Sequence, residues 1–332
     1  MSQKFSTLLL KWYAQCGRDL PWRHKGGAHP NPYIVFVSEL MLQQTTVKTV
    51  LSYFDRFIKR FGDVKTLAEA PLEEVYLYWQ GLGYYTRAKS LHQSAQTVMS
   101  DFGGRFPNTR EDVSKLKGFG PYTVASFLAL AFNQPETVVD GNVMRIMARL
   151  DHLTSPLDEV LPVLRRKAES LTDPNNAADY ASAIMDLGAT VCTKTKPKCD
   201  ACPVRVFCKS KSSVDVEQIP MRKKMTKKRV EGYVYIVQNT QGEVLIRKRC
   251  EPGLLSGLYE FLWSEKPLFD EAVDTKKTVS HIFTHIDMTL KIYEMTTDTP
   301  IGDGFFVPWD KLSEYAFSTL MQKVIQKYNH KG

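Results

Sequence analysis

Two domains of different class are predicted for this chain of 332 residues: an all-α region over the first ~200 residues and an α+β domain of about 100. Three observations predict them. Before Cys192, apolar residues recur at helical spacing and β-branched alternation is scarce. From 209 to 230 the periodicity stops and charges crowd in, the composition of a linker. Beyond it, short alternating runs bounded by turn residues read as strands. With 43% hydrophobic and 24% charged residues the composition is globular, which excludes a disordered, collagen-like or coiled-coil chain.

Along the chain, residues 5–15 are apolar on one face and stop at Gly17. Pro32 opens a helix through Gln44, and 47–61 forms the next. Pro71 starts one ending at Gly81, and 87–101 follows, closed by Gly103 and Gly104. Thr109 with Asp112 three residues on resembles a capping box before a helix over 113–117. Past the linker, 233–237 and 244–246 pair around a turn at 239–242. Ile286, Met288, Leu290 and Ile292 alternate with polar residues, a half-buried strand, and 314–328 closes as a helix. No stretch approaches the roughly 20 apolar residues of a membrane span. Three aliphatics before Lys11 are too few for a secretory segment. An intracellular, cytoplasmic protein is expected, nucleoid-associated in a bacterium, monomeric and without membrane contact.

Charge and cysteine are both concentrated in one place. Residues 192–230 carry twelve Lys/Arg against three acids, a net +9, whereas the whole chain nets +8. A local basic patch is the footprint of a polyanion partner, or equally a solvated linker. Cys192, Cys199, Cys202 and Cys208 follow a C-x6-C-x2-C-x5-C spacing, while Cys16 and Cys250 stand alone. Without export a disulfide framework is disfavoured, and four close thiolates argue for a metal. Zinc favours two separated CxxC hairpins; one CxxC flanked by wider gaps suits the ligands of an iron–sulfur cube.

Three features could carry chemistry. Leu116-Lys-Gly-Phe-Gly-Pro-Tyr-Thr123 suits a tight hairpin in which Gly118 and Gly120 leave backbone N–H groups open for a phosphate; the bland alternative is a plain helix–turn–helix corner. Asp140 precedes the amphipathic run 143–150, so it is a helix cap, or a carboxylate held ionised there to face a developing cation. Glu39 lies in an apolar run, either on the solvent edge of its helix or desolvated; desolvation would raise its pKa and make it a general acid near neutral pH.

Together, that hairpin, Val139-Asp-Gly-Asn-Val143 and the cysteine spacing resemble the helix-hairpin-helix DNA glycosylases with a 4Fe–4S cluster. Ser38-Glu-Leu-Met-Leu-Gln-Gln-Thr45, Gly81-Leu-Gly-Tyr-Tyr85 and Met185-Asp-Leu-Gly-Ala189 narrow the resemblance to adenine glycosylases of the MutY type, over nearly the whole chain. The C-terminal part resembles a Nudix domain. His281-Ile-Phe-Thr-His285 looks like the family's motif for 8-oxoguanine, with Thr284 where Ser is frequent. No R-E-x-x-E-E box follows Gly257-Leu-Tyr-Glu-Phe261, so a recognition module is expected, not a second hydrolase.

The resemblance implies an all-α glycosylase region over 1–208, built from a six-helix module of about 29–136 and a cluster module of about 1–28 plus 137–208. A basic linker over 209–230 and a Nudix-like lesion-recognition domain over 231–332 follow. It implies one 4Fe–4S cluster on the four cysteines, and double-stranded DNA bearing A:8-oxoguanine or A:G mispairs as partner. Glu39 would protonate the flipped adenine and Asp140 would face the sugar cation, the two-carboxylate logic of glycosidases. Tyr122 and Asn142 would support that site. Gln44 would fill the gap left by the flipped base, with Leu82 and Tyr84 beside the opposite base and Phe283, Thr284 and His285 reading the lesion. Endonuclease-III-type relatives place a nucleophilic lysine where this chain has Tyr122, so Schiff-base strand cleavage is not expected. The rival readings are a pyrimidine-lesion glycosylase/AP lyase and a non-catalytic iron–sulfur DNA-binding protein.

Overall fold

The computed structural model describes residues 2–23, 30–211, 213–221, 226–251 and 253–329. Packing divides the chain into two units, Met1–Glu69 with Ser90–Lys223, and Ala70–Lys89 with Lys224–Gly332.

The first unit is helical. Its elements are α1 (Ser2–Cys16), α2 (Pro32–Leu42), α3 (Val47–Arg60) and α4 (Val64–Glu69); α5 (Leu72–Trp79) falls in the other unit. Then come α6 (Tyr85–Phe102), α7 (Arg110–Val113), α8 (Pro121–Phe132), α9 (Gly141–Asp151), α10 (Leu157–Leu171) and α11 (Ala177–Thr190). Local chemistry sets the ends. Asn31 caps α2 through Tyr33 N at 2.9 Å, with Pro32 in the first turn. Thr109 caps α7 by accepting from Asp112 N, as the capping box predicts, but the helix occupies Arg110–Val113 and the expected 113–117 is mostly turn. Helices α2 and α8 are apolar nearly all round, which suits elements covered on every side. They pack on each other, α8 packs on α11, and α11 packs on α1. Phe36 stacks on Phe119 at 5.9 Å, and Phe119 meets Phe127 edge-on at 5.6 Å. In α1, Phe5, Leu9 and Tyr13 form one stripe buried against α9, α10 and α11.

The second unit is built on a sheet of β1 (Lys228–Gln238), β2 (Val244–Lys248), β3 (Tyr259–Glu260), β4 (Leu262–Ser264), β5 (Val273–Ile282), β6 (Ile286–Thr296) and β7 (Phe305–Val307). Its path is β3-β2-β1-β6-β5, with β4 on β1 and β7 on β2. The central β1–β6 pair is parallel and the others are antiparallel. Helix α12 (Thr319–Asn329) buries Leu320, Met321 and Val324 in the core formed with Ile236, Phe261 and Leu290. The helix expected over 314–328 is split. Trp309–Glu314 is a 3-10 turn, and Ser318 restarts the chain by accepting from Met321 N.

Segment 70–89 packs with this unit through specific bonds. Tyr85 Oη donates to Phe317 O at 3.1 Å and accepts from Gly81 N at 3.2 Å, and Lys248 pairs with Glu73. The linker expected over 209–230 includes residues 212 and 222–225, which lie outside the described residues, as do 24–29 at the edge of the two expected helical modules. Its last three residues already belong to β1. Among the described residues, no helix is long and apolar enough to cross a membrane.

Candidate active site

Glu39 is only 6% exposed, so the solvent-edge alternative does not hold. Burial pushes its pKa up to about 7; the Ser126 hydroxyl and Arg23 oppose the rise, and Asp140 adds to it. Arg23 is fixed in turn. Its Nη1 lies 2.6 Å from Asp186 Oδ1, and Asp186 is fully buried and also grips Arg18 through the backbone N, Nε and Nη2. Burial works to raise the Asp186 carboxyl, yet Arg23 and Arg18 hold it below the usual carboxylate range.

Asp140 caps α9. Its Oδ1 accepts from Asn142 N at 2.9 Å and Val143 N at 2.7 Å, while Oδ2, among the described residues, accepts only from Asn142 Nδ2 at 2.9 Å. The cap and an outward-facing charge are thus compatible, because one oxygen carries the cap and the other keeps lone pairs to spare. Asn142 Oδ1 accepts from Arg145 Nη2, which also donates to Gly188 O at 2.7 Å. A Cβ on Gly188 would stand 2.5 Å from Asn142 Cβ, so only glycine allows α11 to approach α9 here. Tyr122, in the first turn of α8, donates to Met185 Sδ at 3.6 Å. Burial and the nearby Glu39 and Asp140 raise its pKa well above the usual phenol value, so it is a neutral phenol at this site.

The hairpin before α8 has the predicted form. Gly118 adopts φ +80° and a Cβ would meet Ser90 Cβ at 2.8 Å; Gly120 caps α8 without a side-chain bond and faces open space. Gln43 pins this corner to the end of α2 by donating to Gly118 O and Thr123 Oγ1, both at 3.1 Å.

Gln44, exposed, sits just past α2 with φ +57°. In the second unit Tyr84 is 43% exposed with φ +49°, and the Arg87 guanidinium lies 5.2 Å from its ring centre. Leu82 is buried instead. Phe283, Thr284 and His285 form the turn between β5 and β6, and Thr284 Oγ1 is 3.0 Å from Tyr84 Oη. The structure thus brings Tyr84 to the turn the sequence singles out for the lesion.

The four cysteines line one cavity, together with Arg149, Lys198, Arg205 and Lys211. Arg149 Nη1 reaches Cys192 Sγ at 3.4 Å. Burial pushes the Cys202 thiol up to about 12 and raises Cys208 as well, so both are neutral thiols unless a bound cation favours the thiolate. Among the described residues no three His, Cys, Asp or Glu side chains converge as a single ion requires. Four thiol side chains around one shared space are the donor set that an iron–sulfur cluster takes.

Sequence reasoning missed Arg23, Asp186 and Ser126. Asp186 and Ser126 carry the same signal as Glu39, a polar residue inside an apolar helical run. Arg23, next to an undescribed segment, carries none.

A family model for the HhH-GPD superfamily of base excision DNA repair proteins matches residues 37–168, and a NUDIX domain model matches 233–327. Curated relatives named adenine DNA glycosylase are 32% identical in Mus musculus, over 98% of this chain and 78% of that one, and 32% identical in Homo sapiens, over 98% and 74%. One from Buchnera aphidicola is 35% identical over 77% and 73%. A thermostable thymine-DNA glycosylase superposes with TM-score 0.55 at 28% identity, covering 63% of this chain and 95% of its own. An endonuclease III in complex with DNA gives 0.51 at 20% identity, over 63% and 96%, a likeness of fold.

Proposed function

The chain belongs to the adenine DNA glycosylases, base-excision enzymes that act on DNA, and we propose that it removes adenine mispaired with 8-oxoguanine or guanine, without cutting the strand. The observation that carries the mechanism is the buried Glu39 carboxyl with its pKa near 7, close enough to the helix cap Asp140 to be raised by it. Adenine leaves poorly as an anion, so its departure needs a proton at a ring nitrogen. Glu39, half protonated at neutral pH, gives that proton to N7 of the flipped base. As the C–N bond lengthens the sugar gains positive charge, and Asp140 stabilises it through its free oxygen lone pairs. Asn142 holds Asp140 in place, and Tyr122 packs beside the acid. With a neutral phenol at 122, no amine attacks the sugar; a water molecule adds to the cation at C1′ and gives up a proton, which restores the Glu39 acid, so the product is an intact strand with an abasic site.

Binding is divided among several parts. Gly118 and Gly120 offer N–H groups to a phosphate, and the lysines at 194, 196 and 198 add charge to the same backbone. Gln44 fills the space left by the flipped base. Tyr84 stacks beside the opposite base, with Leu82 as its buried support. Phe283, Thr284 and His285 read the altered edge of 8-oxoguanine. Cys192, Cys199, Cys202 and Cys208 would hold one 4Fe–4S cluster, supported by their shared cavity and its basic lining. When bound, such a cluster supplies iron–thiolate bonds that tie the basic loop into one rigid piece. The domain after the linker selects the opposite base and does no bond breaking, in keeping with its lack of a Nudix box. Adenine release from A:8-oxoguanine, A:G and A:T duplexes tests the reading. Release from the two mispairs only, abolished in Glu39→Gln, supports it; release from A:T at an equal rate refutes it.

A further inference from the structure

Ser126 lies in the middle of α8, within an unbroken buried run of that helix. Its hydroxyl is wholly enclosed and no partner meets it at full hydrogen-bond geometry, although it lies near enough to the Glu39 carboxyl and the Tyr122 phenol to act on both. A serine inside a helix has a ready acceptor in the carbonyl four residues back, here that of Tyr122. This one leaves it unused, although an unmade bond at a buried hydroxyl is destabilising. The oxygen lies instead beside two side chains: the Glu39 carboxyl, across the α2–α8 packing, and the Tyr122 phenol, one turn earlier on its own face. The Gln43 bonds to Gly118 O and Thr123 Oγ1 fix α2 against α8, so Ser126 and Glu39 face each other across a rigid contact.

Resting on the reading of Glu39 as the acid, we infer that Ser126 is a positioning residue whose hydroxyl donates to the Glu39 carboxylate as its proton leaves for the base. The proton moves from the Glu39 oxygen to adenine; Ser126 keeps its own and supplies a hydrogen bond to the new negative charge. A bond that is weak or absent in the resting acid and strong in the anion acts on the barrier, because it favours the transition state over the ground state. Among the described residues, the groups facing Glu39 are Ser126 and Tyr122 on α8, Asp140 at the start of α9 and Arg23 after α1. Asp140 and Arg23 act on it in opposite senses.

The test is Ser126→Ala in the full-length, cluster-loaded enzyme, by single-turnover adenine release across pH. The acid works when protonated, so the rate falls as pH rises through its pKa. Losing a donor to the carboxylate weakens the acid. The falling limb should move up by about one pH unit, a tenfold change in acid strength, and the low-pH plateau should drop about threefold for a partly transferred proton. Thermal stability should hold or rise, because an unpaired buried hydroxyl has been removed. A limb that stays within about 0.2 unit of wild type, whatever happens to the plateau or the melting temperature, overturns the inference. Glu39→Gln serves as the control. If it retains wild-type release, the general-acid reading falls and this one with it; if it removes the limb while Ser126→Ala leaves it in place, only the role of Ser126 falls.

Discussion

Asp140 both caps a helix and is assigned the charge that faces the sugar, and substitution separates the two duties. Asparagine keeps an acceptor for Asn142 N and Val143 N, and it is as good a cap as aspartate. What is lost for stability is the charge–dipole attraction, about 0.3–1 kcal/mol, and the bond from Asn142 Nδ2, about 0.5–1.5 kcal/mol. The sum is roughly 0.8–2.5 kcal/mol, which for a unit of this size lowers Tm by about 2–10 °C. The kinetic loss should be far larger. A carboxylate ~4 Å from a full positive charge, at an effective dielectric constant of about 20, contributes roughly 4 kcal/mol, near a thousandfold in rate. Asp140→Asn should therefore melt slightly early and release adenine about 10³-fold more slowly. Asp140→Ser, a capping residue without charge, should be as inactive. Single-turnover release and thermal melts on the same preparations check this. Either variant within about threefold of wild-type rate would refute the argument, since general catalytic groups are typically worth 10²–10⁴-fold.

Other outcomes follow from the same geometry. Gly188→Ala puts a Cβ 2.5 Å from Asn142 Cβ, so it should lower Tm and, by displacing the Asp140 support, cut release at least about tenfold; a fully active, fully stable variant would contradict it. Iron analysis should find about four irons per chain, with absorption near 400 nm; colourless, zinc-loaded and fully active protein would contradict the cluster. Thr284→Ala with His285→Ala should reduce the preference for A:8-oxoguanine over A:G by the loss of one or two bonds, each about 1–3 kcal/mol, while release from A:G persists. Comparing the two duplexes measures it directly.

Much of this was legible in the sequence because it depends on local chemistry. The Pro32 helix start, the Thr109 cap, the glycines of the 116–123 corner and the spacing of the four cysteines act within a few residues, and a reader of the chain meets them together. Glu39 was legible only as two alternatives. Whether it reaches solvent depends on α8, about 85 residues further on, covering α2. Arg23, Asp186 and Ser126 act through the same long-range packing; Asp186 falls in the 185–189 run that carries the resemblance, but nothing local gives it its role beside Arg23. The α7 boundary was misjudged because a cap fixes where a helix starts, not where it stops. Past Val113 the chain tightens into turns, with Lys115 N donating to Asp112 O and Leu116 N to Val113 O. The strand run at 228–230 was hidden by its charge, since the outer residues of a sheet tolerate lysine and arginine.

The central claim is that two carboxylates, and no amine nucleophile, free adenine from the mispair. It is tested most directly on an A:8-oxoguanine duplex labelled in the adenine strand, with the reaction divided into alkali-treated and untreated halves and a borohydride trap run beside them. The account predicts stoichiometric free adenine in wild type, strand breaks only after alkali, no trapped covalent complex, and no adenine from Glu39→Gln. Strand breaks without alkali, accompanied by a borohydride-trapped enzyme–DNA adduct, or adenine release by Glu39→Gln at the wild-type rate, would contradict it.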